Sequence, residues 1–225
     1  LDSDGAMSDV DVSQLKERIG YPALLDEINS ILRDCRDGAE RIREIVQNLR
    51  TFSRLDEAEY KETDIHEGLD ATIRLLGGYF GSGDISLRRE YGDLPPIETF
   101  SGQLNQVWMN LLVNAAQAIG PNKGEVTVLT RADDANVFVE VTDTGCGIAI
   151  QDVKRIYDPF FTTKPVGAGT GLGLSISHSI MERHGGSISV STVLGQGTTF
   201  KVRLPREFEP DFSVTERSIA CYQAA

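Results

Sequence analysis

Two glycine-rich stretches constrain the fold of this 225-residue chain more than any other feature of its sequence. Asp143-Thr144-Gly145-Cys146-Gly147 follows an alternating apolar run, and Gly169-Thr170-Gly171-Leu172-Gly173 precedes a helical one. Glycine is favoured wherever the backbone turns sharply or approaches another group closely, so either stretch alone indicates no more than a tight turn. In this order they predict a strand that ends in one loop and a helix that begins in the other. Because the backbone N–H groups at a helix start bind anions, the second stretch could hold phosphate. Together with Phe160-Phe161-Thr162-Thr163-Lys164 between them and an asparagine-bearing helix upstream, the two stretches indicate a nucleotide site.

A helix upstream of the first stretch carries a row of amide side chains. Gln106, Asn110 and Asn114 are spaced four residues apart and therefore share one helix face. Amides on a helix that also carries Val107 and Leu111 are costly to bury without partners. Their uncharged oxygens suit Mg2+, which keeps several waters and shares its shell with phosphates. A network of hydrogen bonds to the backbone explains the same pattern, so the residues alone leave both interpretations open.

The loops supply the remaining candidate contacts. Asp143 lies at a strand end, where its carboxylate can accept a hydrogen bond from the exocyclic amine of adenine. Gly145 and Gly147 would let the backbone approach the base. A capping aspartate in a tight turn is the alternative interpretation of the same residues. Lys164 lies on the stretch between the two loops, where its ammonium could pair with a terminal phosphate.

The periodicity of apolar residues predicts an α+β chain. A near-heptad pattern predicts a long helix over about Pro22–Glu59, and Gln151–Tyr157 is predicted as a short helix. Ser101 is expected to cap the amide-bearing helix. These elements imply a two-layer α/β sandwich, with strands in one layer and helices in the other, preceded by the long helix. The other predicted helices cover about 64–76, 102–119 and 172–184, and the predicted strands cover 85–91, 97–100, 125–131, 136–142, 187–193 and 198–204.

Composition and charge exclude several classes of protein. A net charge of −12 argues against a nucleic-acid binder, which would show basic patches. No apolar run reaches the roughly 18 residues of a membrane span, so no membrane contact is expected from this segment. The three cysteines, Cys35, Cys146 and Cys221, show no metal-binding or disulfide spacing. A cytoplasmic location is therefore expected.

Four motifs, in matching order and spacing, resemble the N, G1, F and G2 boxes of the sensor histidine kinase ATP-binding domain. The resemblance covers about residues 64–205. It implies the Bergerat ATP-binding fold, a mixed sheet with helices on one face, which type II topoisomerases, Hsp90 and MutL share. The motifs are Asn110-Leu111-Leu112-Val113-Asn114-Ala115, Asp143-Thr144-Gly145-Cys146-Gly147, Asp158-Pro159-Phe160-Phe161-Thr162-Thr163-Lys164 and Gly169-Thr170-Gly171-Leu172-Gly173-Leu174-Ser175-Ile176.

The resemblance also implies a role for each matching residue. Asn114 would bind Mg2+, Asn110 would lie near the phosphates, and Gln106 stands where many relatives have Glu. Gln106, Asn110 and Lys164 form the implied catalytic set. One departure is Gln117, at a position where many relatives carry Lys or Arg. The implied ATP-binding set is Asn110, Asn114, Asp143, Gly145, Gly147, Tyr157, Lys164, Gly169, Thr170, Gly171, Leu172, Gly173, Thr198 and Thr199.

The same resemblance divides the chain into segments. Residues 1–9 are expected to be disordered, with Gly5-Ala6-Met7 resembling a cloning remnant. Residues 10–60 would hold the second helix of the family's dimerisation and phosphoacceptor hairpin, residues 61–207 the catalytic ATP-binding domain, and residues 208–225 a mobile tail. None of the three histidines, His66, His178 and His184, matches the family's acceptor motif. The first hairpin helix, which carries the acceptor, is therefore expected to be absent from this chain.

These inferences identify an enzyme, the ATP-binding catalytic region of a two-component protein-histidine kinase. It would position Mg2+ and ATP for transfer of the γ-phosphate to a histidine and onward to an aspartate on a response-regulator receiver domain. The intact protein would be a homodimer through its helical hairpin, whereas this chain alone would not autophosphorylate. The alternative is a degenerate module that binds nucleotide and signals without kinase output.

Overall fold

The computed structural model describes residues 16, 18, 20, 21, 24–32, 35, 36, 38, 60–80, 84–165 and 169–208. The chain divides into two compact units, Leu1–Gln47 with Lys164–Gly169, and Asn48–Thr163 with Thr170–Ala225. In the first unit, residues 24–32 are helical. The rest of the predicted long helix lies mostly outside the described residues, as do the predicted disordered start and all of the predicted tail beyond Phe208.

A five-stranded mixed sheet forms one layer of the second unit. Its strand order is β2-β4-β5-β7-β6, with β2 and β4 parallel and all other neighbours antiparallel. The strands predicted over 125–131 and 136–142 pair as one hairpin, and those over 187–193 and 198–204 as another, so the mixed α+β fold is confirmed. The strands of this sheet are β2 (Ile85–Tyr91), β4 (Gly124–Ala132), β5 (Asn136–Asp143), β6 (Ser187–Val193) and β7 (Gly197–Pro205).

Helices cover one face of this sheet because alternate strand residues are apolar. Val126, Val128 and Val139 are fully buried on that face, and the intervening residues of β4 are partly exposed. The central helix contributes Trp108 and Leu111 to the same core. The helices of this unit are α1 (Ile65–Leu75), α2 (Gly77–Phe80), α3 (Ser101–Ile119) and α4 (Gly173–Arg183).

A second, two-stranded sheet was not predicted in full. It pairs β1 (Tyr60–Thr63) with β3 (Ile97–Phe100) in antiparallel register, with Tyr60 opposite Phe100. The sequence predicts only the second strand, because Tyr-Lys-Glu-Thr offers no apolar alternation. Tertiary pairing with β3, rather than intrinsic pattern, therefore accounts for β1.

Two local predictions are wrong. Ser101 is the first residue of α3 and does not cap it, since Phe100 occupies the cap position without a side-chain hydrogen bond. Residues 151–157 form successive turns instead of a helix. Their hydrogen bonds join residues three positions apart, such as Arg155 N–H to Asp152 O (2.8 Å). Ile156 is the one buried side chain in that segment, so a continuous helix there would gain little burial.

The cap of α1 and the C-terminal end of α3 follow the sequence more closely. The Asp64 carboxylate accepts a hydrogen bond from His66 N–H (2.8 Å), as its position predicts. Gly120 ends α3 with φ +65°. Within the part of the chain that the structure describes, no helix is both long enough and apolar enough to cross a membrane.

Candidate functional site

The amide face of α3 is divided between a bonded side chain and an unsatisfied one. Asn110 Nδ2 donates to Gly173 O (2.9 Å) and to Ser177 Oγ (3.1 Å) on α4. Gln106 Oε1 is buried and accepts no hydrogen bond from any residue that the structure describes. Asn114, partly buried, follows one turn after Asn110. The structure shows that one amide joins a protein network and that another has an acceptor without a partner among the described residues. The binding of Mg2+ by this face stays a prediction.

The carboxylate of Asp143 lies at the end of β5 and is almost completely buried, with 4% of the residue exposed. Burial raises its pKa, while hydrogen bonds from the backbone N–H groups of Gly145 and Thr198 act in the opposite direction. Gly145 N–H donates to Asp143 Oδ1 at 2.8 Å. The side chain is therefore held by backbone donors at the end of an inner strand. Its contact with a base stays a prediction.

The glycines after Asp143 serve the packing of protein against protein. A Cβ on Gly145 would lie 2.6 Å from the carbonyl carbon of Ala118, in the last turn of α3. Gly147 has φ +69°, and a Cβ there would lie 2.3 Å from Val193 O. Cys146 N–H also donates to Ala118 O (3.0 Å). The structure shows that these glycines fix the loop between α3 and the β6–β7 hairpin. Their approach to the base stays a prediction.

The turn between β6 and β7 holds the other side of Asp143. Gly197 has φ +122°, and a Cβ there would lie 1.9 Å from Asp143 O. Thr192 Oγ1 donates to Gly197 O (3.0 Å) and lies 3.0 Å from Thr198 Oγ1. Thr198 is buried and pairs with Asp143 across the two strands. Thr199 points to the opposite face of the sheet, where its hydroxyl contacts that of Thr142 (2.9 Å).

The second glycine stretch leads into α4. Gly171 has φ +67°, and a Cβ there would lie 2.4 Å from the carbonyl carbon of Phe160. Phe160 N–H donates to Gly171 O (3.0 Å), and Thr170 Oγ1 accepts from Leu172 N–H (3.4 Å). Ile176 N–H makes the first bond of the helix, to Leu172 O (3.0 Å). The preceding N–H groups at this helix start have no partner within α4 and are suited to phosphate oxygens.

Tyr157, Lys164 and Gly169 complete the predicted set. Burial raises the pKa of Tyr157 to about 12. Its buried hydroxyl has no hydrogen-bond partner among the described residues, and its ring centroid lies 5.1 Å from that of His178. Lys164 and Gly169 belong to the other compact unit, and their roles remain predictions.

All three histidines lie in the described part of the chain, and the expectation that none of them is the phosphoacceptor stays a prediction. His66 stacks on Tyr91, with centroids 4.3 Å apart, and its Nε2 contacts Thr130 Oγ1 (2.8 Å). His178 lies on α4, 3.6 Å from Glu182. His184 is buried, and burial lowers its pKa. The sequence predicted the location of His184 at a helix end, but not that the imidazole is held in the core.

Sequence reasoning missed two residues that support the site. Ser177 is completely buried and contacts Asn110, and Thr192 ties the β6–β7 turn to Ile148 N–H (2.9 Å). The spacing of Ser177 four residues after Gly173 is a usable signal, since a helical serine commonly bonds the carbonyl four residues back. No comparable local pattern identifies Thr192, because its bond to Ile148 joins residues 44 positions apart.

The amide oxygens on α3 are suited to a metal-bound nucleotide. Gln106 offers an unsatisfied buried oxygen, and both amide hydrogens of Asn110 are committed to α4, which leaves its Oδ1 as an acceptor. No group of three His, Cys, Asp or Glu side chains that could hold a metal ion occurs among the described residues. The amide oxygens of this helix face would hold magnesium together with the phosphates of the nucleotide, since this ion commonly shares its shell with phosphates.

Comparison with known proteins identifies the same domain. Residues 101–207 match the family described as histidine kinase-, DNA gyrase B-, and HSP90-like ATPase. Sensor kinase CckA of Brucella abortus (strain 2308) is 37% identical over 215 residues, which cover 88% of this chain and 22% of the relative. The chain spans well under half the length of the curated relatives that it matches.

Solved structures agree with the sequence relatives. The nucleotide-free catalytic domain of histidine kinase ThkA is 30% identical with a TM-score of 0.59, and the match covers 66% of this chain and 98% of that one. Full-length ShkA, solved in complex with AMPPNP, is 27% identical with a TM-score of 0.67, and the match covers 81% of this chain and 40% of that one. The chain therefore belongs to the sensor histidine kinase family and carries that family's ATPase domain.

Proposed function

We propose that this chain is the ATP-binding catalytic region of a two-component histidine kinase. The observation that carries the proposal is that α3 is bonded to both glycine loops. Asn110 holds the start of α4, and Ala118 holds the loop after Asp143. These two residues are eight positions apart, about 12 Å along a helix. In the proposed complex the base lies at Asp143 and the phosphates lie at the start of α4.

Each part of this arrangement has a distinct chemical task. The Asp143 carboxylate accepts a hydrogen bond from the exocyclic amine of adenine, and the free N–H groups at the start of α4 bind phosphate oxygens. Asn114, Asn110 and Gln106 would hold Mg2+ or its waters, and that ion would supply positive charge to the phosphates. Lys164 would add a further positive charge. Catalysis in this design consists of positioning and electrostatic stabilisation of the transferred group.

We further propose that the phosphate leaves this chain. His66 and His184 are hydrogen-bonded within the folded domain, and His178 lies beside Glu182 on α4. The proposed acceptor is therefore a histidine on the family's phosphoacceptor hairpin rather than one of these three. The final recipient would be an aspartate of a response regulator. ThkA has been solved in complex with the response regulator protein TrrA, which supports this class of partner.

Dimerisation through the helical region is part of the same proposal. Within the helical residues 24–32, five apolar side chains are exposed, between 38% for Leu25 and 61% for Leu32. Their near-heptad spacing is typical of a helix that packs against another helix. A matching helix from the hairpin and from a second copy would cover this stripe.

Transfer of γ-labelled phosphate tests the proposal directly. The chain is incubated with labelled ATP and Mg2+, first alone and then with the phosphoacceptor hairpin of a related kinase. We expect label on the hairpin and none on the chain alone. Label on the chain alone would contradict an external acceptor. ATP binding without transfer to any hairpin would instead support the alternative of a nucleotide-binding signalling module, for which the exposed Gln117 at a usual Lys or Arg position is the favouring observation.

A further inference from the structure

Ser177 completes a closed hydrogen-bond network between α3 and α4. Its hydroxyl donates to Gly173 O (2.9 Å), one turn back along α4, and accepts from Asn110 Nδ2 (3.1 Å). Asn110 Nδ2 also donates to Gly173 O (2.9 Å). The serine is completely buried, so water does not compete for these bonds.

The network fixes which end of the Asn110 amide faces α4. A carbonyl oxygen can only accept, so Gly173 O requires the NH2 group of Asn110 rather than its oxygen. The single hydroxyl hydrogen of Ser177 is also used on Gly173 O, which leaves the serine oxygen as an acceptor for the second amide hydrogen. In a flipped amide, Oδ1 would face Gly173 O, and two acceptors would lie in contact without a hydrogen between them.

We propose that Ser177 is a positioning residue that makes Asn110 an acceptor toward its ligand. With both amide hydrogens bound to α4, only Oδ1 remains for the site. An amide oxygen binds a cation or the hydrogens of its water, and it repels phosphate oxygens. Asn110 therefore acts on the metal side of a metal–nucleotide complex, and this assignment rests on the proposed function.

The helix itself offers a matched control. Ser179 also bonds the carbonyl four residues back, from its Oγ to Ser175 O (3.2 Å), and this bond stays within α4. Ser177→Ala and Ser179→Ala therefore remove the same group and the same type of helix bond. Only the first removes a bond to Asn110. Ser177→Thr keeps the hydroxyl and is the variant expected to restore behaviour.

The first measurement needs no ligand. In the nucleotide-free chain, NMR follows the two side-chain amide protons of Asn110, which are assigned by their loss in Asn110→Asp. We expect one proton to shift upfield and to exchange faster in Ser177→Ala, and both to stay unchanged in Ser179→Ala and Ser177→Thr. An unshifted pair in Ser177→Ala would overturn the network.

The second measurement compares ATP affinity with Mg2+ and with a chelator. We expect Ser177→Ala to weaken the Mg2+-dependent affinity about two- to tenfold, the equivalent of roughly one hydrogen bond, with the metal-free affinity unchanged. Equal loss in both conditions would identify a packing defect and overturn the positioning role. If the unaltered chain does not bind ATP, the proposed function fails, and the amide spectrum still decides the orientation of Asn110.

Discussion

At the scale of single residues, His184 is a histidine whose two ring nitrogens both bond to the backbone and stabilise the core. Its Nε2 accepts from Phe100 N–H (3.2 Å), and its Nδ1 contacts Ile180 O (2.8 Å), which a neutral ring satisfies with one acceptor and one donor. The ring also packs edge-on against Phe100. A second proton on Nε2 would break the bond to Phe100 and leave a charge in the core.

This geometry predicts a loss of stability in mild acid. Burial holds the pKa of His184 below its ordinary value of about 6.5, which the unfolded chain keeps. As the pH falls below about 6.5, the unfolded state binds the extra proton and the folded state does not. The free energy of unfolding should therefore fall, by at most about 1.4 kcal/mol per pH unit, until the pH reaches the lower folded pKa.

Denaturant unfolding between pH 7.5 and 5.5 measures this effect. His184→Gln keeps a donor and an acceptor but does not titrate, so its stability deficit relative to the unaltered chain should shrink as the pH falls. His178→Gln, on the same helix, is the control. A deficit for His184→Gln that stays constant over this range would contradict the prediction.

Asp143 is the residue expected to recognise the base. Asp143→Asn removes the charge that strengthens the bond to the exocyclic amine, so we expect ATP affinity to fall at least tenfold, the range for hydrogen bonds to charged groups. Glu98→Gln, at an exposed position on β3, makes the same change of charge as a control. The two variants are compared by calorimetric titration with ATP. Equal affinities would show that Asp143 only shapes its loop.

At the scale of elements, the β6–β7 hairpin braces the site through its glycines. Gly195 and Gly197 both have positive φ, +78° and +122°, but only Gly197 lies against the backbone of β5. The Cβ that Gly195→Ala adds would have no atom within 4 Å, so this substitution costs only the strain of a positive φ. Gly197→Ala must in addition displace Asp143 O. Overpacking of this kind typically lowers the free energy of unfolding by about 1–3 kcal/mol.

Paired unfolding and binding measurements test this brace. We expect Gly197→Ala to be less stable than Gly195→Ala and to lose ATP affinity as well, because the displaced atom belongs to Asp143. Gly195→Ala should bind ATP with almost the affinity of the unaltered chain. If both variants lose the same stability and neither loses affinity, the close approach of the hairpin to Asp143 has no role in binding.

The same elements show where sequence reasoning succeeds. Alternating runs predicted both hairpins, and helical runs predicted α1, α3 and α4, since local pattern and tertiary burial agree in these segments. The strand β1 and the turns over 151–157 were missed, because partners elsewhere in the chain decide their structure. Within the site, motif order predicted Asp143 and the amide face, whereas the support from Ser177 and Thr192 depends on contacts between distant segments.

At the scale of the whole molecule, the proposed nucleotide joins segments that are far apart in sequence. The base would contact the end of β5 and the start of β7, and the phosphates would contact α3 and α4. A ligand that binds only the folded state stabilises it by about 2.7 kcal/mol at a hundredfold excess over its dissociation constant. For a chain of this size, that corresponds to a rise in Tm of about 5–11 °C.

Thermal unfolding with three ligands separates the contributions of base and metal. At equal concentration, ATP with Mg2+ should raise Tm most, because it uses the Asp143 carboxylate, the start of α4 and the amide oxygens together. ATP with a chelator loses the contribution of the amide oxygens. GTP with Mg2+ places a carbonyl where adenine has its exocyclic amine, so it meets the Asp143 carboxylate with a second acceptor and should stabilise least. Equal stabilisation by GTP and ATP would show that Asp143 does not distinguish adenine from guanine.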